Sequence, residues 1–140
     1  MNSQNLSIEI VWKDEHMIEV EICVSNDSFS GVSRFYDSNV TYLELASELK
    51  GYFSSGKLDV KNSFNKSYEL FSLSARCIDQ LGHISIDVLL QQSDYAESKV
   101  INRVKLNANT DLASIDRFCE ELEELGTKQS GLARLSFIAT

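Results

Sequence analysis

His16 and His83 are the side chains of this sequence whose ordinary titration lies near neutral pH, so they are the first candidates for acid–base chemistry. Both fall at turns or strand starts, His16 closing Lys13-Asp14-Glu15-His16 and His83 following Asp79-Gln80-Leu81-Gly82, with no nucleophile at a readable spacing. They are read as surface or strand-end histidines. Glu9, Glu19 and Glu21 have the types and spacing to imitate a carboxylate pair, but they fall on the polar side of alternating stretches, where a solvated sheet face is expected. The sequence contains no Gly-x-Ser-x-Gly elbow, no phosphate-binding glycine loop, no His-Glu-x-x-His and no dinucleotide fingerprint. Cys23, Cys77 and Cys119 are odd in number, far apart and set in apolar patterns, which predicts free thiols in a reducing compartment. No catalytic residue, metal site or cofactor is expected.

The strongest chemical signal is electrostatic. A helix is predicted over Asp111–Leu125, with Leu112, Ile115, Phe118, Cys119, Leu122 and Leu125 on one apolar stripe, Thr110 or Asp111 as cap and Gly126 just past the end. It carries Asp111, Asp116, Glu120, Glu121, Glu123 and Glu124 against Arg117. Asp116, Glu120, Glu123 and Glu124 lie opposite the apolar stripe, where like charges four apart oppose the helix and where Glu123 and Glu124 meet its negative end. Binding of a basic partner is a reason to keep such a face, since paired charges raise association rate and specificity. These four residues are the candidate partner-binding set.

The whole chain points the same way. Its 140 residues hold 21 acidic and 13 basic side chains, a net charge of −8, which favours basic protein partners and disfavours nucleic acid. The opening Met1-Asn2-Ser3-Gln4-Asn5 has neither a basic nor an apolar leader, and no apolar run is long enough to span a bilayer. The expectation is a cytoplasmic protein without membrane association. The length suits one domain, residues 1–140.

Elements that would hold these residues follow from periodicity. Strands are predicted at Leu6–Trp12, with Ile8, Ile10 and Trp12 on one face, at Ile18–Val24 and at Gly31–Tyr36. Asn39–Phe53 changes to helical spacing through Tyr42, Leu45, Ala46, Leu49 and Phe53, with Thr41 and Glu44 in the form of a capping box and Gly51 placed to end it. Ser54–Lys66 reads as a loop. The centre of the chain is a hairpin of Phe71–Ile78 and His83–Leu90, the best candidate for the middle of an antiparallel sheet. Gln91–Ser98 reads as a polar turn, Lys99–Ala108 as a strand with Val100, Val104 and Leu106 inward, and Leu132–Ile138 as a short apolar tail or edge strand. The order βββαβββα suits two similar halves or one sheet; the fold taken is α+β, an antiparallel sheet of about six strands with two helices packed on one face.

Several framework segments resemble a known group. These are Trp12-Lys13-Asp14 before an alternating strand, Gly31 with Arg34-Phe35-Tyr36 leading into Leu43, Leu45-Ala46 and Leu49, the Cys77–Ile84 turn, and Ile115-Asp116-Arg117-Phe118 with Leu122 and Leu125. Together they are similar to small bacterial domains that include the WapI-like immunity proteins of polymorphic toxin systems. The resemblance implies a non-enzymatic cytosolic protein that binds and neutralises a toxin domain made by the same cell; it carries no contact residue with it. The alternative is a structural or ligand-binding subunit acting through self-association, as a homodimer, with Ile101 and the Leu132–Ile138 tail as exposed apolar contacts.

Overall fold

Alternation dictates the first strands: Ile18, Val20, Ile22 and Val24 are buried, while Glu19, Glu21 and Cys23 between them point to the other face. A computed structural model describes residues 4–54, 59–94 and 96–139. Residues 1–3 of the opening segment, 55–58 of the expected loop and 95 of the expected polar turn lie outside the described residues. The elements run β1 (Asn5–Lys13), β2 (Ile18–Ser25), β3 (Ser30–Asp37), α1 (Asn39–Phe53), β4 (Ser63–Ser67), β5 (Phe71–Cys77), β6 (His83–Asp94), β7 (Lys99–Asp111), α2 (Leu112–Lys128) and β8 (Gly131–Ser136).

The fold is α+β, but the single sheet of about six strands is replaced by two antiparallel sheets of four, ordered β3-β2-β1-β8 and β4-β5-β6-β7. Two strands account for the difference. Ser63–Ser67 is polar apart from buried Phe64, so its pairing with β5 leaves no hydrophobic period to read. The tail forms β8 because Leu6 and Ile8 of β1 need neighbours on their free side, and Leu135 and Ala133 supply them. The sheets part where α1 separates β3 from β4.

They meet along β7, which crosses one end of the first sheet. Val104 packs under Gly31 so closely that a Cβ on the glycine would lie 2.7 Å from Val104 Cγ1. Further along, the Asn107 carbonyl accepts from Asn26 Nδ2 at 3.0 Å, the Asn109 carbonyl from the Ile138 N–H at 2.7 Å, and Thr110 Oγ1 donates to the Ser136 carbonyl at 2.8 Å. Buried side chains of both sheets and both helices form one apolar cluster.

The helix ends correct several expectations. Ser38, not Thr41, caps α1, accepting from the Val40 N–H at 3.2 Å. Thr41 donates instead to Asp37 Oδ1 at 2.9 Å, and Glu44 pairs with Lys66. Gly51 lies inside α1, which continues because Phe53 is buried and Tyr52 packs edge-on to Phe64. Asp111 caps α2 as expected, accepting from the Ser114 N–H at 2.8 Å, but the helix runs on to Lys128 with Gln129 in the left-handed region. Gly126 is therefore buried inside α2 against α1. The helices are antiparallel, with Asn39 Nδ2 donating to the Gly126 carbonyl and Lys50, farther along α1, reaching Glu123. The expected Gln91–Ser98 turn is shorter, because β6 continues to Asp94. Beyond Leu90, where β5 ends its pairing, β6 and β7 form a two-stranded arm; Val100 lies on that arm and is exposed, not inward. No helix among the described residues is long and apolar enough to cross a membrane.

Candidate functional site

The apolar stripe of α2, from Ile115 through Leu125, is buried, which turns Asp116, Glu120 and Glu124 to the exposed side and leaves Glu123 half-buried. The four candidate residues do not share one environment. Glu123 Oε1 lies 3.6 Å from Lys50 Nζ of α1, and Glu124 Oε1 lies 2.5 Å from Lys128 Nζ, the i,i+4 partner that the longer helix brings in. The Lys128 ammonium holds the Glu124 carboxyl below the usual range. Asp116 and Glu120 make no ion pair among the described residues. The usable negative charge is therefore concentrated toward the middle of the helix. Glu121 is engaged elsewhere, since its Oε1 accepts from the Arg134 N–H at 2.8 Å and so covers a backbone donor on the β8 edge.

A second surface lies on the opposite side of the first sheet, where no helix packs among the described residues. The expected inward position of Trp12 is wrong, for a definite reason. The pairing of β1 with β2 slips between Ile10 and Trp12, so that Ile10 faces Val20 but Trp12 faces Glu19. The extra residue is Val11, a β-bulge that reverses the alternation and turns Trp12 outward. Trp12 is 47% exposed, and its ring meets Tyr36 of β3, 62% exposed, edge-on at 6.0 Å between centroids. Glu19 stands between them in the ladder, paired with Trp12 on one side and Tyr36 on the other. In the next row Glu9, Glu21 and Arg34 lie side by side; Arg34 bonds to Glu21 and holds its carboxyl down. Glu9 and Glu19 have no hydrogen-bond or ion-pair partner among the described residues.

The readable signal for this surface is the doublet Val11-Trp12, two large apolar residues in succession just before a turn. A break in period two at a strand end is where a bulge fits.

The remaining reactive types are accounted for by local structure. His83 Nδ1 contacts Asp79 Oδ2 at 2.6 Å across its own turn, and His16 pairs with neighbouring Glu15. The three cysteines are free; Cys77 and Cys119 are buried, and Cys23 is half-buried on the outer sheet face. Burial raises all three thiols, Cys119 to about 12, where Asp116 and Glu123 add to the effect. Neutral thiols are poor nucleophiles. No group of three or more His, Cys, Asp or Glu suited to a metal occurs among the described residues. A cleft of about 290 Å³ between β3 and the β6–β7 arm, lined by Gly31, Ser33, Leu90, Asn102 and Val104, has no carboxylate among the described residues. Another of about 290 Å³ has Glu121 and Glu124 in its wall, but these are engaged with the Arg134 N–H and Lys128.

Compared with protein-family models, curated proteins and solved structures, the chain gives no match.

Proposed function

We propose that this chain is a non-enzymatic binding protein of the immunity type, which neutralises a basic toxin domain in the cytoplasm by covering it. The observation that carries the reading is the exposed side of α2, where Asp116 and Glu120 face solvent without an ion pair among the described residues. Around them the chain as a whole is strongly acidic, and a basic catalytic groove is the natural complement. Nearby lysines already satisfy Glu123 and Glu124 at the end of the helix, so they contribute less to a partner's contact.

The test is co-expression with the C-terminal domain of any large secreted-type protein found encoded beside it, scoring cell survival and complex formation at low and high salt. Rescue together with a salt-sensitive complex is expected. A toxic neighbour that kills despite co-expression, or that forms no complex, overturns the reading.

A second reading, self-association, has its own observation. The two-stranded arm of β6 and β7 presents Val100 and Ile101, 46% and 52% exposed, to solvent. Sedimentation that shows a dimer dissociating on dilution, and a monomer after Ile101→Ser, supports it; a monomer at all concentrations removes it.

A further inference from the structure

Trp12 is the sole tryptophan of the chain, and strict alternation would bury it beside Ile8 and Ile10. The bulge at Val11 interrupts the ladder and delivers the indole to solvent, the reverse of what core formation rewards. A cross-strand aromatic contact with Tyr36 returns part of that loss. It leaves unexplained why Glu19, a carboxylate with no salt bridge among the described residues, occupies the rung between the two rings. The same face carries Glu9 and Glu21 directly opposite each other, like charges that disfavour the pairing, with Arg34 engaged by Glu21. Two exposed rings and a carboxylate that makes no salt bridge among the described residues are together the complement of one chemical group. A guanidinium is planar, stacks on aromatic faces and pairs with carboxylate through a fork of donors. Aromatic residues on a surface rich in charge are also the composition of an interface anchor.

We propose that the outer face of the first sheet, at Trp12, Glu19 and Tyr36, is a docking site for an arginine side chain carried by a basic protein partner. The negative charge of the face, with Glu9 and Glu19 free of ion pairs among the described residues, selects a cationic partner; the rings select arginine over lysine. The inference rests on the reading of the chain as a binding protein but not on α2 or on a toxin.

The experiment titrates the folded protein with an oligoarginine peptide and with an oligolysine peptide of equal length, following the emission of Trp12. A saturable change is expected, with oligoarginine binding more tightly. Glu19→Gln weakens binding about tenfold, as loss of a charge-assisted contact should. Glu48→Gln, which removes the same charge from α1 on the other side of the sheet, leaves it unchanged. Calorimetry of Trp12→Ala and Tyr36→Ala, each shown folded by circular dichroism, reads the loss of binding without the indole reporter. No saturable change, equal affinity for the two peptides, or equal weakening by Glu19→Gln and Glu48→Gln overturns the proposal. Because no toxin domain is present, failure here leaves the survival assay standing, and failure of that assay leaves this site standing.

Discussion

Gly126 of α2 meets Leu43 of α1 with no room for a methyl group: a Cβ at residue 126 would lie 2.7 Å from Leu43 Cγ, 2.8 Å from Leu43 Cδ2 and 3.3 Å from the Asn39 carbonyl oxygen. The absence of a side chain lets the two helices approach and lets Asn39 Nδ2 reach the Gly126 carbonyl. Gly126→Ala is therefore expected to destabilise by about 1–3 kcal/mol through overpacking, against the usual gain of alanine in a helix. Gly51 provides the control, since a Cβ there meets nothing within 4 Å. Gly51→Ala should stabilise by about 0.5–1 kcal/mol. Urea denaturation of the two variants checks both signs, and a stabilised Gly126→Ala would show that Leu43 moves aside freely.

Trp12 gives a direct check on the bulge. With the indole outside, its emission should be that of a solvent-exposed tryptophan, readily quenched by acrylamide in the folded state, and Trp12→Ala should change stability by less than about 1 kcal/mol. Phe118, fully buried in α2, is the contrast: Phe118→Ala should cost about 3–5 kcal/mol. A blue, protected emission would place Trp12 in the core and remove the bulge.

The parts of this fold visible in the sequence are those in which one apolar face is buried along a whole element. Tyr42, Leu45, Ala46, Leu49 and Phe53 of α1, and Ile115 through Leu125 of α2, have helical spacing and are buried. The hidden parts depend on contacts distant in the chain. Phe64 alone marks β4, because a short edge strand buries little, and Gly126 reads as a helix end because glycine signals both termination and close packing. Thr41 and Glu44 match a capping pattern, but Ser38 three residues earlier has the extended backbone a cap requires. For the candidate site, periodicity places the acidic side of α2 correctly on the surface. It does not separate Asp116 and Glu120 from Glu123 and Glu124, since Lys50 reaches Glu123 from another helix and Lys128 lies beyond the expected end.

At the acid end, Asp111 should contribute a pH-dependent term. The Ser114 N–H and hydroxyl hold its carboxyl below its ordinary 3.8. A lowered carboxyl adds stability that is present above the unfolded value and lost as pH falls through the folded one. Asp111→Ala should cost about 1 kcal/mol at neutral pH and flatten the acid limb below pH 3.8, whereas Asp111→Asn keeps the cap and removes only the pH dependence. Thermal midpoints from neutral pH down into that limb distinguish the two.

At the alkaline end the sign is opposite. Tyr42 is fully buried and donates to Asp37 Oδ2 at 2.9 Å, and burial, with the Asp37 charge, raises its phenol far above 10.0; burial also raises Tyr68, to about 12. A raised group stabilises fully below its unfolded value, and that stability is lost as pH climbs toward the folded value. Stability should therefore fall above pH 10.0, with tyrosinate absorbance from Tyr42 appearing only as the chain unfolds. Tyr42→Phe should cost about 1 kcal/mol at neutral pH through the lost hydrogen bond but weaken the alkaline decline. Tyrosinate formation at Tyr42 ahead of unfolding would contradict its burial.

The charge on α2 should act mainly on the rate of partner association. Asp116 and Glu120 have no ion pair among the described residues, so Asp116→Lys with Glu120→Lys breaks none of the helix's own pairs and should leave stability within about 0.5 kcal/mol. Reversing Glu124 instead would destroy the Lys128 pair and set two like charges four residues apart, mixing folding with binding. If the proposed toxin-binding face is the right one, the Asp116–Glu120 double reversal slows association with the toxin domain about tenfold or more at low salt, changes dissociation less, and loses most of its effect at high salt. Stopped-flow association at two ionic strengths reads this directly. Unchanged rates, in a variant shown to be folded, would remove α2 from the interface and leave the outer face of the first sheet as the surface to test.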